Sequence, residues 1–213
     1  DGLLAFVTKS GENDALHLYD VGKNELVETI RFRSLVVLGS PSWSPDGKRI
    51  AFSSIDKSGN NDLYVLELET RSLVRLTNDF YDDRDPAWSP TGDRIAFSSD
   101  RNPYGNEGKY NLFLYDFRKA SIEYLTVGKE NYYSPSWSPD GSWLAFTSDI
   151  DGAQNIWLMK VDGDPPADRS MRKVTNFFTA AFDPSWGEHN DLFFAAFEGF
   201  SFQLKSISNV LSR

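Results

Sequence analysis

Residues 41–52 read Pro41-Ser42-Trp43-Ser44-Pro45-Asp46-Gly47-Lys48-Arg49-Ile50-Ala51-Phe52, and the phrase returns as PAWSPTGDRIAF from Pro86 and PSWSPDGSWLAF from Pro135. The copies begin 45 and 49 residues apart, and a worn one, Pro184-Ser185-Trp186-Gly187, follows 49 further on. Asp1-Gly2-Leu3-Leu4-Ala5-Phe6 keeps the same register, 45 residues ahead of Asp46. A period of this length belongs to solenoids or propellers.

The turn chooses between them. Ser44-Pro45-Asp46-Gly47 places Pro where a type I turn needs φ near −65° and Gly where the chain must pass through a left-handed conformation, so a strand is reversed tightly. β-rich runs surround it: the Trp43 stretch, 49–53, 63–68 and 73–77. No segment holds a helical apolar period for three turns. Four strands per repeat make a propeller blade. The expected fold is all-β, a β-propeller of about four and a half four-stranded antiparallel blades. Residues 1–213 form one domain with repeats near 1–40, 41–85, 86–134, 135–183 and 184–213. The chain opens inside an Asp-Gly turn and closes without a full fourth strand, which suggests a piece of a longer chain and a larger ring. Strand-two Phe residues precede the strand-three landmark by 12 residues for Phe6 to Leu18 and Phe52 to Tyr64, 16 for Phe97 to Phe113, and 11 for Phe146 to Trp157. Loops absorb the differences.

Trp43, Trp88, Trp137 and Trp186 share one position and read as blade-to-blade packing, since regular recurrence of a large apolar ring marks a core more often than an aromatic ligand box. Ala51, Ala96 and Ala145 recur equally and let blades approach.

Chemistry is hard to assemble. Cysteine is absent, His17 and His189 lie in distant repeats, and no nucleophile elbow, phosphate loop or zinc spacing appears, so no enzyme activity, cofactor or metal is expected. Asp149-Ile150-Asp151-Gly152 offers oxygen ligands but lacks the later Glu of a helix-loop-helix calcium site and fits a turn. Asp82, Asp83 and Asp85 could bind a cation or do acid-base work, although neighbouring carboxylates on a connector read more simply as solvated. A net charge of −9 without clustered Lys or Arg argues against a nucleic-acid partner, and no run is long enough to span a membrane.

The residues Trp43 to Phe52, Ser98-Ser99-Asp100-Arg101, Asn61-Asp62-Leu63-Tyr64-Val65 and Leu76-Thr77-Asn78 resemble the TolB-type β-propeller family across nearly the whole chain. The resemblance implies an extracytoplasmic, periplasmic protein and a non-catalytic scaffold binding a cell-envelope protein. Related blades also occur in tricorn-like, prolyl oligopeptidase and dipeptidyl peptidase propellers, so an accessory substrate-gating propeller of a larger peptidase is the alternative, with a carbohydrate-binding or lyase-like propeller third. The last repeat departs from the pattern: Gly187-Glu188-His189-Asn190 replaces the turn, and five Phe crowd 193–202.

Blade topology sorts the loops. The Ser-Pro-Asp-Gly turns and strand three-to-four loops share one face; the strand two-to-three loops and blade connectors share the other. The connector face gathers Phe80, Tyr81, Tyr132, Tyr133, Phe177 and Phe178 beside Asp82, Asp83, Asp85, Glu130 and Asp183, with Tyr104 in the long 101–110 loop. Aromatics with carboxylates compose a protein-binding patch. Read structurally, the same rings plug gaps between blades.

Overall fold

The computed structural model describes residues 2–9, 13–101, 108–161 and 170–212. Among them are eighteen strands in five antiparallel sheets, as the repeat requires. The chain divides into two compact units, Asp1–Pro86 and Ala87–Arg213, with the boundary at the start of the third repeat.

In the first unit, β1 (Leu3–Thr8), β2 (Ala15–Asp20) and β3 (Glu25–Ile30) form a three-stranded sheet in chain order. The strands β4 (Leu35–Trp43), β5 (Arg49–Asp56), β6 (Asn61–Glu67) and β7 (Leu73–Arg75) form a complete blade. β8 (Asp83–Trp88) carries the unit boundary and pairs with β9 (Arg94–Ser99), followed by β10 (Asn111–Asp116) and β11 (Ser121–Tyr124). The next blade is β12 (Tyr132–Trp137), β13 (Trp143–Ser148), β14 (Asn155–Lys160) and β15 (Met171–Lys173), and the last sheet is β16 (Ala180–Trp186), β17 (Leu192–Glu198) and β18 (Ser201–Ile207).

Strand two of each blade is the buried centre. Ile50-Ala51-Phe52, Ile95-Ala96-Phe97 and Leu144-Ala145-Phe146 are all fully buried, both pleat faces covered, which explains their unbroken apolar character. Phe52, Phe97 and Phe146 stand directly opposite Tyr64, Phe113 and Trp157. In the first blade Phe6 faces His17, not Leu18.

The turns are held by their own side chains. Ser44 Oγ donates to Asp46 Oδ1 at 2.5 Å, and the backbone N–H of Arg49 returns to Ser44 Oγ at 2.9 Å. Ser138 and Asp140 repeat the arrangement at 2.6 Å. Where Thr91 replaces the turn Asp, Thr91 Oγ1 donates to Asp93 from the other side of Gly92 at 2.5 Å. These hydroxyl bonds hold Asp46, Asp93 and Asp140 below the usual carboxylate range, Ser44, Thr91 and Ser138 being the leading causes. A carboxyl whose folded pKa is depressed contributes stability above its unfolded pKa and loses it as pH falls through the folded value, so stability should drop below about pH 4. Acid titration of an Asp46→Ala, Asp93→Ala, Asp140→Ala triple variant should show a shallower fall than the parent.

Gly47 sits at φ +68°, with nothing within 4 Å of where a Cβ would stand. Gly47→Ala should therefore cost only the left-handed conformational penalty, about 1 kcal/mol; a shift in the denaturation midpoint at constant slope measures it.

Two of the recurring tryptophans, Trp137 and Trp186, are interblade struts. Trp137 is 6% exposed and its Nε1 donates to the carbonyl of Ala87 at 3.0 Å; Trp186 repeats the bond to Ser136 at 3.0 Å. Each ring thus reaches the first strand of the preceding repeat, at the residue between Pro and Trp.

Candidate functional site

Antiparallel pairing places the 56–61 loop and the 76–82 connector at one end of the second sheet, and hydrogen bonds tie them: Asn61 Nδ2 donates to Asp82 Oδ1 at 2.6 Å. In the second unit, Asn131 of a connector donates through its backbone N–H and Nδ2 to Asp149 at 2.7 and 2.8 Å. Asp151 pairs with Lys173. The 149–152 segment is therefore a turn bound by protein donors.

The aromatic residues divide by depth. Phe80 is 81% exposed, its ring 4.3 Å from Tyr81, and Phe178 is 98% exposed. Tyr81 is half-buried. Phe177 is half-buried too, edge-on to Phe194 at 5.9 Å with Lys205 Nζ 5.2 Å from its ring. Tyr133 is half-buried against Tyr110 at 5.2 Å.

Tyr132 corrects the expectation of an exposed connector ring. It is 4% exposed, packed against Phe146 at 5.9 Å, because β12 has already begun there. Burial pushes its hydroxyl up to about 12, aided by Glu130. A phenol with a raised folded pKa contributes stability below its unfolded pKa of 10 and loses it as pH rises toward 12, so alkaline unfolding should be less steep in Tyr132→Phe. Gly128 makes room for this ring: a Cβ there would lie 2.9 Å from Tyr132 Cε2 and 3.0 Å from Glu130 Oε2.

Asp83 is the second correction. It is fully buried, where a solvated connector carboxylate was expected. Counting three residues back from each repeat's Pro gives Leu38, Asp83, Tyr132 and Ala181, all buried. That position of strand one faces the core, whatever residue occupies it.

The remaining carboxylates are engaged. Asp82 pairs with Arg84 as well as Asn61. Asp85 accepts from Ser40 Oγ at 2.9 Å, and in the second unit Asp183 accepts from Ser134 Oγ at 2.8 Å. All four of these residues precede the motif Pro, and all have positive φ: 49° and 53° for Ser40 and Asp85, 49° and 53° for Ser134 and Asp183. A residue before Pro ordinarily takes an extended conformation, so each position stores strain of about 1–3 kcal/mol. Tyr104 lies outside the described residues.

Catalytic geometry does not emerge around the histidines. His17 is bonded through both ring nitrogens, to Thr8 at 2.8 Å and Thr29 at 2.9 Å, and stacks on Phe6 at 5.1 Å. His189 occupies a single 3-10 turn, 188–190, with φ +57°.

Known proteins fit this geometry. The sequence profile of the TolB beta propeller domain matches residues 2–106. The crystal structure of TolB from Acinetobacter baumannii superposes with a TM-score of 0.79 at 26% identity, over 98% of this chain and 49% of that one. The chain is a TolB-type β-propeller. The Tol-Pal system protein TolB of Nitrosomonas europaea is 36% identical over 75 residues, 35% of this chain and 17% of the relative. The chain thus spans about half the length of the A. baumannii TolB structure. The tricorn protease shares the fold alone, with a TM-score of 0.67 at 13% identity over 100% of this chain and 25% of that one.

Sequence reasoning did not single out Ser40 and Ser134, although the signal was present. They stand before the Pro of alternate TolB-type repeats, in register with Asp85 and Asp183. Reading the aromatic pairs by their own spacing aligned Tyr132 with Phe80, whereas counting from Pro aligns it with Asp83.

Proposed function

We propose that this TolB-type propeller is a non-catalytic, extracytoplasmic scaffold that docks a protein partner of the cell envelope on its connectors. The observation that carries the reading is the exposure of two phenylalanines, Phe80 at 81% and Phe178 at 98%, each at the end of its sheet where connectors and strand two-to-three loops meet. Exposed aromatics of this kind supply the anchors of interfaces, and the surrounding carboxylates raise the rate of encounter with a basic partner. The TolB relatives named as Tol-Pal system proteins support an envelope setting. The docking residues are Phe80, Tyr81, Asp82 and Asp85 on the first unit, supported from within by Asp83, and Glu130, Tyr133, Phe177, Phe178 and Asp183 on the second, supported by Tyr132. The peptidase alternative draws on fold-level likeness only.

A partner retained from an envelope extract and then purified should bind Phe80→Ala and Phe178→Ala about 1–2 kcal/mol more weakly each. Arg118→Ala should be neutral, its side chain 78% exposed and paired with Asp93 at the turn end of the blade. Salt should slow association and leave dissociation nearly unchanged. Full binding by the Phe80→Ala, Phe178→Ala double variant would overturn the proposal, as would peptidase or esterase turnover that survives repurification and vanishes with one substitution.

A further inference from the structure

Trp137 and Trp186 each donate an indole N–H to the first strand of the preceding repeat, at the carbonyl of the residue between Pro and Trp. Trp43 holds the same place in its own repeat, yet its Nε1 is sealed from water and has no hydrogen-bond partner. The preceding sheet explains why. It runs β1-β2-β3, and among the described residues the other edge of β1 is unpaired. An indole N–H buried without an acceptor is costly, so the position calls for a carbonyl.

The open edge is built like a paired one. Beside β5 the Leu68 N–H donates to the carbonyl of Lys48 at 2.9 Å, and beside β1 the Val21 N–H donates to that of Gly2 at 2.9 Å. Antiparallel partners exchange bonds at every second residue, so Leu3, Ala5 and Val7 turn their backbone groups to the open side. Their counterparts Arg49, Ala51 and Ser53 meet β4 and its turn: Arg49 accepts from the Ser44 N–H at 2.9 Å, Ala51 stands opposite Ser42 and Ser53 opposite Gly39. Leu3 and Leu4 are 38% and 51% exposed. A cavity of about 360 Å³, lined by Gly2, Leu3, Trp43 and the 44–47 turn, opens where a strand laid along β1 would end.

We propose that the edge of β1 and the indole of Trp43 receive an extended strand, antiparallel to β1, of the kind that opens the other sheets: the first strand of a further TolB-type repeat. The tryptophan sets its register. Ser136 stands opposite Ala145, and it is the Ser136 carbonyl that Trp186 takes. By the same rule the incoming residue opposite Ala5 turns its carbonyl to Trp43 Nε1. Strand addition of this kind draws its affinity from main-chain bonds. The site lies beside the Ser44–Gly47 turn and is read by strand binding, so it stands whether or not the connectors dock a partner.

The probe is a fluorescein-labelled peptide copying residues 35–44, titrated with the 213-residue chain and followed by anisotropy. It should bind one saturable site, and amide exchange at Leu3, Ala5 and Val7 should slow by about tenfold or more when it is bound. Trp43→Phe keeps most of the ring and removes the N–H, so it should weaken binding roughly fivefold or more. Ala5→Pro takes an N–H from the open side and none from the β2 ladder, a place where an edge strand tolerates Pro; it should abolish binding while the unfolding midpoint stays near the parent's. Ser42→Ala within the peptide should leave its affinity unchanged, because only that residue's carbonyl is gripped. Failure to saturate, equal binding by a scrambled peptide, or parent-like affinity in Trp43→Phe would overturn the assignment, as would exchange protection confined to β18, the edge strand of the last sheet.

Discussion

Replacing Trp137 by alanine should cost about 3–5 kcal/mol of unfolding free energy, the range of a large-to-small change in a packed core. The ring is 6% exposed and belongs to a cluster with Tyr132, Leu144 and Phe146. Arg94 lies 5.3 Å from its face. Its loss opens a void and leaves the carbonyl of Ala87 without its donor, so two penalties combine. Trp137→Phe separates them, because it keeps most of the apolar volume and orphans the same carbonyl, with an expected cost of about 1 kcal/mol. Denaturant midpoints at constant slope measure both. An alanine variant as stable as the parent would mean that the repeated tryptophans are not structural.

Phe146→Ala should be of the same size, about 3–5 kcal/mol. Phe146 is fully buried in the central strand of its blade, stands directly opposite Trp157 and packs on Tyr132 at 5.9 Å. Trp157, the larger of the cross-strand pair, is only half-buried, so Trp157→Ala should cost markedly less. Size ranks the two residues one way and burial the other, and the same denaturation series decides which governs. A larger loss at Trp157 would show that the strand-two aromatic is not the centre of the blade.

Repetition made most of this fold readable. Four copies of Pro-x-Trp fixed the strand-one positions, the Ser-Pro-Asp-Gly turn fixed the hairpin, and the recurring Ala51, Ala96 and Ala145 marked strand-two positions that are fully buried. Where reading failed, the cause was a ruler placed on the wrong residue. Tyr132-Tyr133 looked like a connector pair beside Phe80-Tyr81 because both are aromatic doublets, yet the Pro that follows sets the pleat and turns Tyr132 into the core. Asp83 was hidden for the same reason, since a run of acidic residues gives no hint that its second member points inward. The bond between Arg75 and Asp62 spans two strands, and only their register brings the pair together. The strained Ser and Asp before each Pro lay in plain view but run against the expected extended conformation.

The tryptophan struts have a direction. Trp137 reaches back to the repeat before it, and Trp186 does the same to the one containing Trp137. What each ring grips is a backbone carbonyl, indifferent to whether the residue there is Ala87 or Ser136. A joint that reads only the main chain, and faces the same way in both places, makes no demand on the side chain of the copy it grips. Such an array can lengthen or shorten by whole units through duplication or loss of a segment of DNA, without inventing a new interface. The 45- and 49-residue spacings, which differ only where loops have grown, are the trace such a history leaves in a sequence.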